Sequence, residues 1–70
     1  MALLSFAIRD SVHRADAYLY RGHAYSYLGD FVNAADDYDT AYNYYESLGD
    51  YEYMLWAQQG KITMFSLHGF

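Results

Sequence analysis

Between Phe31 and Leu48, apolar residues step by three and four without a break: Phe31, Ala34, Ala35, Tyr38, Ala41, Tyr42, Tyr45 and Leu48. That spacing places them on one stripe of an α-helix. Asn33, Asp36, Asp37, Asp39, Thr40, Asn43 and Glu46 take the opposite side, so the pattern predicts a helix over 31–47. The run is bracketed by a repeated signal. Leu28-Gly29-Asp30-Phe31 returns as Leu48-Gly49-Asp50-Tyr51. In each, the glycine suits the left-handed end of one helix and the aspartate suits the cap of the next.

The flanking segments carry weaker versions of the same periodicity. Leu4, Ala7, Ile8 and Val12 predict a helix over 2–13. No Gly or Pro occurs around 13–15, so the turn expected there rests on the pattern that follows. Asp16 then opens a helix over 16–28 with Ala17, Tyr18, Arg21, Gly22, Ala24, Tyr25 and Leu28 on its packing side. A last helix, over 51–66, is given Leu55, Trp56, Gly60, Ile62 and Thr63 on its packing side, and 67–70 form a short tail. Gly22 and Gly60 both sit mid-helix, where glycine costs about 1 kcal/mol relative to alanine. A ring or a backbone packed against each missing side chain is the expected compensation. Apolar alternation of the strand kind never persists. The fold class is therefore all-α: one domain of antiparallel helical hairpins with about four helices.

The stretch Tyr18-Leu-Tyr-Arg-Gly22-His-Ala-Tyr25, then Leu28-Gly29-Asp-Phe31, then Ala34, Tyr38 and Ala41 resembles one complete tetratricopeptide repeat. The resemblance covers 15–48 as a whole repeat. It treats 1–14 as the tail of a preceding repeat and 50–66 as a following partial repeat or capping helix. Two departures stand out. The family period is about 34 residues, whereas 38 separate Gly22 from Gly60. Thr63 also stands where the family has an aromatic. In such arrays the first helix of each repeat lines a groove that binds peptides or helices. The resemblance thus implies groove positions Asp16, Leu19, Tyr20, His23, Ser26 and Tyr27 on the first copy. On the second it implies Met54, Ala57, Gln58, Lys61 and Phe65. The chaperone-binding members' clamp of Lys and Asn is not reproduced, since Leu19 and His23 occupy its first-copy places.

Composition narrows the partner classes. Nine acidic residues face four basic ones, for a formal charge of −5. That argues against nucleic acid, whose phosphates call for a Lys/Arg surface. Ten tyrosines, four phenylalanines and one tryptophan make the chain too aromatic for a disordered segment. Without cysteine there is neither a disulfide framework nor a thiolate metal site. The start is not a credible signal peptide, and no run is long enough to span a membrane, so a cytoplasmic protein without membrane insertion is expected.

The chemistry-bearing residues point away from catalysis. His13, His23 and His68 include no pair at helical i,i+4 spacing, so no metal or other cofactor is implied. Neither a nucleophile elbow nor a phosphate-cradling loop occurs. Asp36, Asp37 and Asp39 read as a solvated acidic face, or as a landing patch for a basic partner. One repeat cannot bury its own apolar face. A chain that begins with Met and carries only this much is expected to form a homo-oligomer or to dock on a larger protein. The leading expectation is a non-catalytic scaffold or adaptor that binds a protein partner in the groove. The alternatives are a homo-oligomeric assembly protein whose aromatic faces form the interface, and a small regulator or anchor of an enzyme using the acidic face.

Overall fold

A computed structural model describes the backbone of residues 2–68 and the side chains of residues 12–67. The expected packing face of Leu4, Ala7 and Ile8, the side chain of His68 and the end of the tail lie outside the described side chains. Three helices follow one another: α1 (Ala2–Tyr27), α2 (Phe31–Leu48) and α3 (Tyr51–His68). No strand occurs among the described residues.

The expected break at 13–15 is absent: α1 runs straight through it, so the described residues form three helices rather than the four expected. The physical reason lies in the residues there. His13, Arg14 and Ala15 all tolerate a helix interior, and none supplies the positive φ or the missing N–H that would end one. The two Gly-Asp turns do form as the sequence predicts. Gly29 and Gly49 adopt φ values of 78° and 73°. At the first, the Gly29 N–H donates to Ser26 O and the Asp30 N–H to Tyr25 O; at the second, Gly49 donates to Glu46 O and Asp50 to Tyr45 O. This paired bonding satisfies the last carbonyls of each helix. Each aspartate then caps the helix that follows, its carboxylate accepting from the backbone N–H of Asn33 or Tyr53.

α2 is the central element. α1 and α3 both pack along it and barely touch each other. The buried core is Ala15 and Leu19 from α1, Ala34, Ala35, Tyr38, Ala41 and Tyr45 from α2, and Ala57 and Met64 from α3. The core faces of the outer helices are rotated from those the sequence predicts. On α1, Ala17 and Ala24 are exposed while Ala15, Leu19 and Gly22 face α2. On α3, Leu55, Trp56, Ile62 and Thr63 are exposed while Ala57, Gly60 and Met64 turn inward. One contact explains both rotations. The Tyr38 ring lies between the two mid-helix glycines, and a Cβ on either would meet it at 3.0 Å (Gly22) or 2.9 Å (Gly60). The glycines mark the centre of each helix contact, not its edge.

Pairing on either side of that ring follows from the neighbours of Tyr38. Successive residues of a helix point about 100° apart, so Asp37 turns to α1 and Asp39 to α3. Asp37 accepts from Arg21 Nε and Nη2 at 2.7 and 2.8 Å. Asp39 accepts from Lys61 Nζ at 2.7 Å.

Candidate functional site

α1 and α3 flank the middle of α2 and barely touch each other, which leaves a shallow cleft between them above α2. Its floor is made by the two tyrosines of α2 that point between the outer helices. The Tyr45 hydroxyl donates to Asp16 Oδ1 at 2.5 Å. The Tyr38 hydroxyl lies 2.7 Å from His23 Nδ1. Burial pushes the Tyr38 hydroxyl pKa up, and for Tyr45 burial and then the Asp16 hydrogen bond do the same. Both hydroxyls are therefore held neutral, and both are satisfied within the fold.

The walls are exposed rings. Tyr20 and Tyr27 rise from α1, 68% and 94% exposed. Tyr20 is an electrostatic neighbour of the Tyr45 hydroxyl, and Tyr27 of the Tyr38 hydroxyl. From α3, Tyr53 stacks on Tyr45 with centroids 5.4 Å apart. Trp56 follows Tyr53 by three residues and precedes Gly60 by four, so it shares their flank of α3. It is 64% exposed.

The expected groove residues divide between several places. Tyr20, His23 and Tyr27 flank the cleft, with Asp16 half-buried at its floor. Leu19 and Ala57 do not line a groove: both are buried in the core, at equivalent positions of α1 and α3. Met54, Gln58, Lys61 and Phe65 do not join the cleft either. They lie on the opposite flank of α3, where Lys61 reaches Asp39. Gln58, Lys61 and Phe65 line a separate crevice of about 290 Å³ with Asp39, Tyr42 and Ile62. The reason is again Tyr38. With Gly60 pressed against the ring, the second-copy groove positions are carried round to the far side. α1 and α3 meet the Tyr38 ring from opposite sides, so positions at equal offsets from Gly22 and Gly60 point to opposite flanks, and the match of the two glycines by itself carries these residues away from Tyr20 and Tyr27.

The acidic face also divides. Asp36 is exposed, but Asp37 is buried in its pairing with Arg21, and Asp39 is half-buried against Lys61. The Asp37 carboxylate raises the Arg21 pKa further, first through the hydrogen bond and then through charge. A second shallow concavity of about 330 Å³ lies outside α1, lined by Arg14, Ala17, Tyr18, Arg21 and Tyr44. There Tyr18 stacks on Tyr44 with centroids 5.8 Å apart, and Arg21 lies over the Tyr18 ring. Among the described residues no cluster of side chains is arranged to hold a metal ion. No described helix is long and apolar enough to cross a membrane.

No protein-family model, curated protein or solved structure matches this chain.

Proposed function

We propose that this chain is a non-catalytic binding module that holds a helix or extended segment of a partner protein in the α1–α3 cleft. The observation that carries the reading is the set of exposed rings, Tyr20 and Tyr27 on α1 and Tyr53 and Trp56 on α3, on the two helices that flank Tyr38 and Tyr45. Tyrosine and tryptophan give large contact area for little lost side-chain freedom, and they dominate the energetics of protein interfaces. The polar groups of the floor support the same reading. Asp16 and His23 are spent on holding two tyrosine hydroxyls, which is structural work. The resemblance to a tetratricopeptide repeat suggests the same surface on α1. With a formal charge of −5, the fitting segment has apolar anchors and basic flanks.

The acidic-face alternative has less support, since two of its three carboxylates are already paired inside the fold. The test is affinity capture with Tyr20→Ala and Trp56→Ala beside Asn43→Ala, which alters the outer side of α2. Loss of the captured protein with the first two alone is the expected result. Loss with Asn43→Ala alone would place the binding surface elsewhere. Trp56 is the chain's only tryptophan, so its fluorescence reports occupancy of the cleft directly.

A further inference from the structure

The middle of the cleft is narrow. A Cβ on Gly22 and a Cβ on Gly60 would meet the same two atoms of Tyr38, Cδ1 and Cε1, at 3.0 and 2.9 Å. A single ring therefore separates α1 from α3 there. An α-helix with its side chains is about 10–12 Å across, too broad to seat between them, whereas an extended chain can lie along the slot. The floor is polar as well. The Tyr38 and Tyr45 hydroxyls meet His23 and Asp16 there, and the apolar face of an amphipathic helix would have to cover these groups without bonding to them. Along the wall, Tyr20 neighbours the Tyr45 hydroxyl and Tyr27 neighbours the Tyr38 hydroxyl. Seven residues of helix separate the two rings, about 10 Å along the slot.

We propose that the occupant is a proline-rich segment in the polyproline II conformation with basic residues at its ends, a reading that rests on the cleft being the binding surface. Such a segment has three residues per turn at about 3.1 Å each, so side chains on one side recur every ~9 Å, close to the spacing of Tyr20 and Tyr27. Its backbone makes no internal hydrogen bonds, so its carbonyls stay open to donors. Tyrosine hydroxyls and the indole N–H are such donors, and Tyr20, Tyr27, Tyr53 and Trp56 are all exposed. Proline-rich segments dock in aromatic-lined grooves because they are already ordered before binding. The net charge of −5 selects basic ends.

The test is titration of the chain with three synthetic peptides of equal length, each with arginine at both ends, read by Trp56 fluorescence. One has proline at every third position; in the others those prolines are alanine or glycine. The proline peptide should give a saturable change and bind about tenfold or more tightly than either of the others. Tyr20→Ala and Tyr27→Ala should each weaken it about tenfold, while Asn43→Ala leaves it unchanged. Both rings are exposed, so circular dichroism should stay helical in these variants. If the alanine or glycine peptide binds as tightly and still depends on Tyr20 and Tyr27, the proline assignment is overturned and the cleft stands as a binding surface. Binding of the proline peptide that ignores both tyrosines would overturn the proposal and the cleft reading together. No saturable response to any of the three would overturn the proposal alone, and capture with Tyr20→Ala and Trp56→Ala would still decide the wider reading.

Discussion

α1 and α3 meet α2 at the same ring, each with a glycine, and the two contacts are then finished differently. Gly22 and Gly60 approach Tyr38 almost equally. On the α1 flank, Arg21 holds the buried Asp37 with two hydrogen bonds, Tyr18 stacks on Tyr44, and both floor hydroxyls reach α1 residues. On the α3 flank there is the Lys61–Asp39 pair and the Tyr45–Tyr53 stack. Trp56, which corresponds to Tyr18 in the internal match, is left facing solvent. The glycine–ring contact is therefore shared, while polar closure is concentrated on one side. The well-closed flank belongs to the α1–α2 hairpin. The open flank belongs to the helix with apolar surface to spare.

The largest effect expected is at the shared centre. Tyr38→Ala removes a ring that fills the space left by two glycines, and should cost about 3–5 kcal/mol in denaturant unfolding. Gly22→Ala and Gly60→Ala should each cost about 1–3 kcal/mol, because the ring cannot retreat from one Cβ without meeting the other glycine's backbone. In the Tyr38→Ala background the sign should reverse, and each glycine replacement should add about 1 kcal/mol through helix propensity. If only one glycine shows that reversal, the ring is gripped from one side and the equivalence of the two flanks fails.

Arg21→Ala comes next. It leaves the Asp37 carboxylate buried without its two donors, and the melting temperature should fall clearly. Arg21→Lys should recover only part of this, because a lysine cannot supply the forked pair of bonds. Full recovery by lysine in a thermal melt would show that charge alone closes the α1 flank.

How much of this was legible before the structure depends on which physical signal each feature has. The Gly-Asp turns and the stripe of α2 were readable because glycine at positive φ, aspartate caps and 3.6-residue spacing are local. The continuity of α1 was misread because the repeat pattern suggested a turn where no residue encodes one. The rotations of α1 and α3 were misread for a different reason. Both helices carry apolar residues on more than one side, so periodicity alone does not select the face. What selects it is a tertiary fact, the shared ring of Tyr38. The repeat pattern assigns Leu19, Met54, Ala57, Gln58, Lys61 and Phe65 all to the groove, because it carries no trace of that one contact. Asp37 looked like its exposed neighbour Asp36 because burial of an acid depends on where its arginine comes from.

Alkaline pH tests the cleft floor that ties α1 to α2. The pKa values of Tyr38 and Tyr45 are raised in the folded state. Below the ordinary tyrosine pKa of about 10, both folded and unfolded chains hold these protons, and the stabilisation is fully present. Above it the unfolded chain releases protons that the folded chain keeps, so stability should fall as pH rises. Melts taken at increasing pH should show this loss setting in near pH 10, and Tyr45→Phe should reduce its slope. A flat profile would mean that the hydroxyls are not held as described.

Lys61→Ala should have the smallest effect, under about 1 kcal/mol, because Lys61 and Asp39 keep 35% and 48% of their side-chain surfaces exposed and water screens the pair. Added salt should erase most of the difference from wild type. This is the measurement that bears most directly on the asymmetry. If Lys61→Ala costs as much as Arg21→Ala, the α3 flank is closed as firmly as the α1 flank, and the exposed rings of α3 do not mark an unfinished side. If it costs little, α3 is held to α2 mainly by the glycine–ring contact and the apolar core. Its remaining apolar surface is then free to take part in association, since no strong polar closure fixes what lies beyond it.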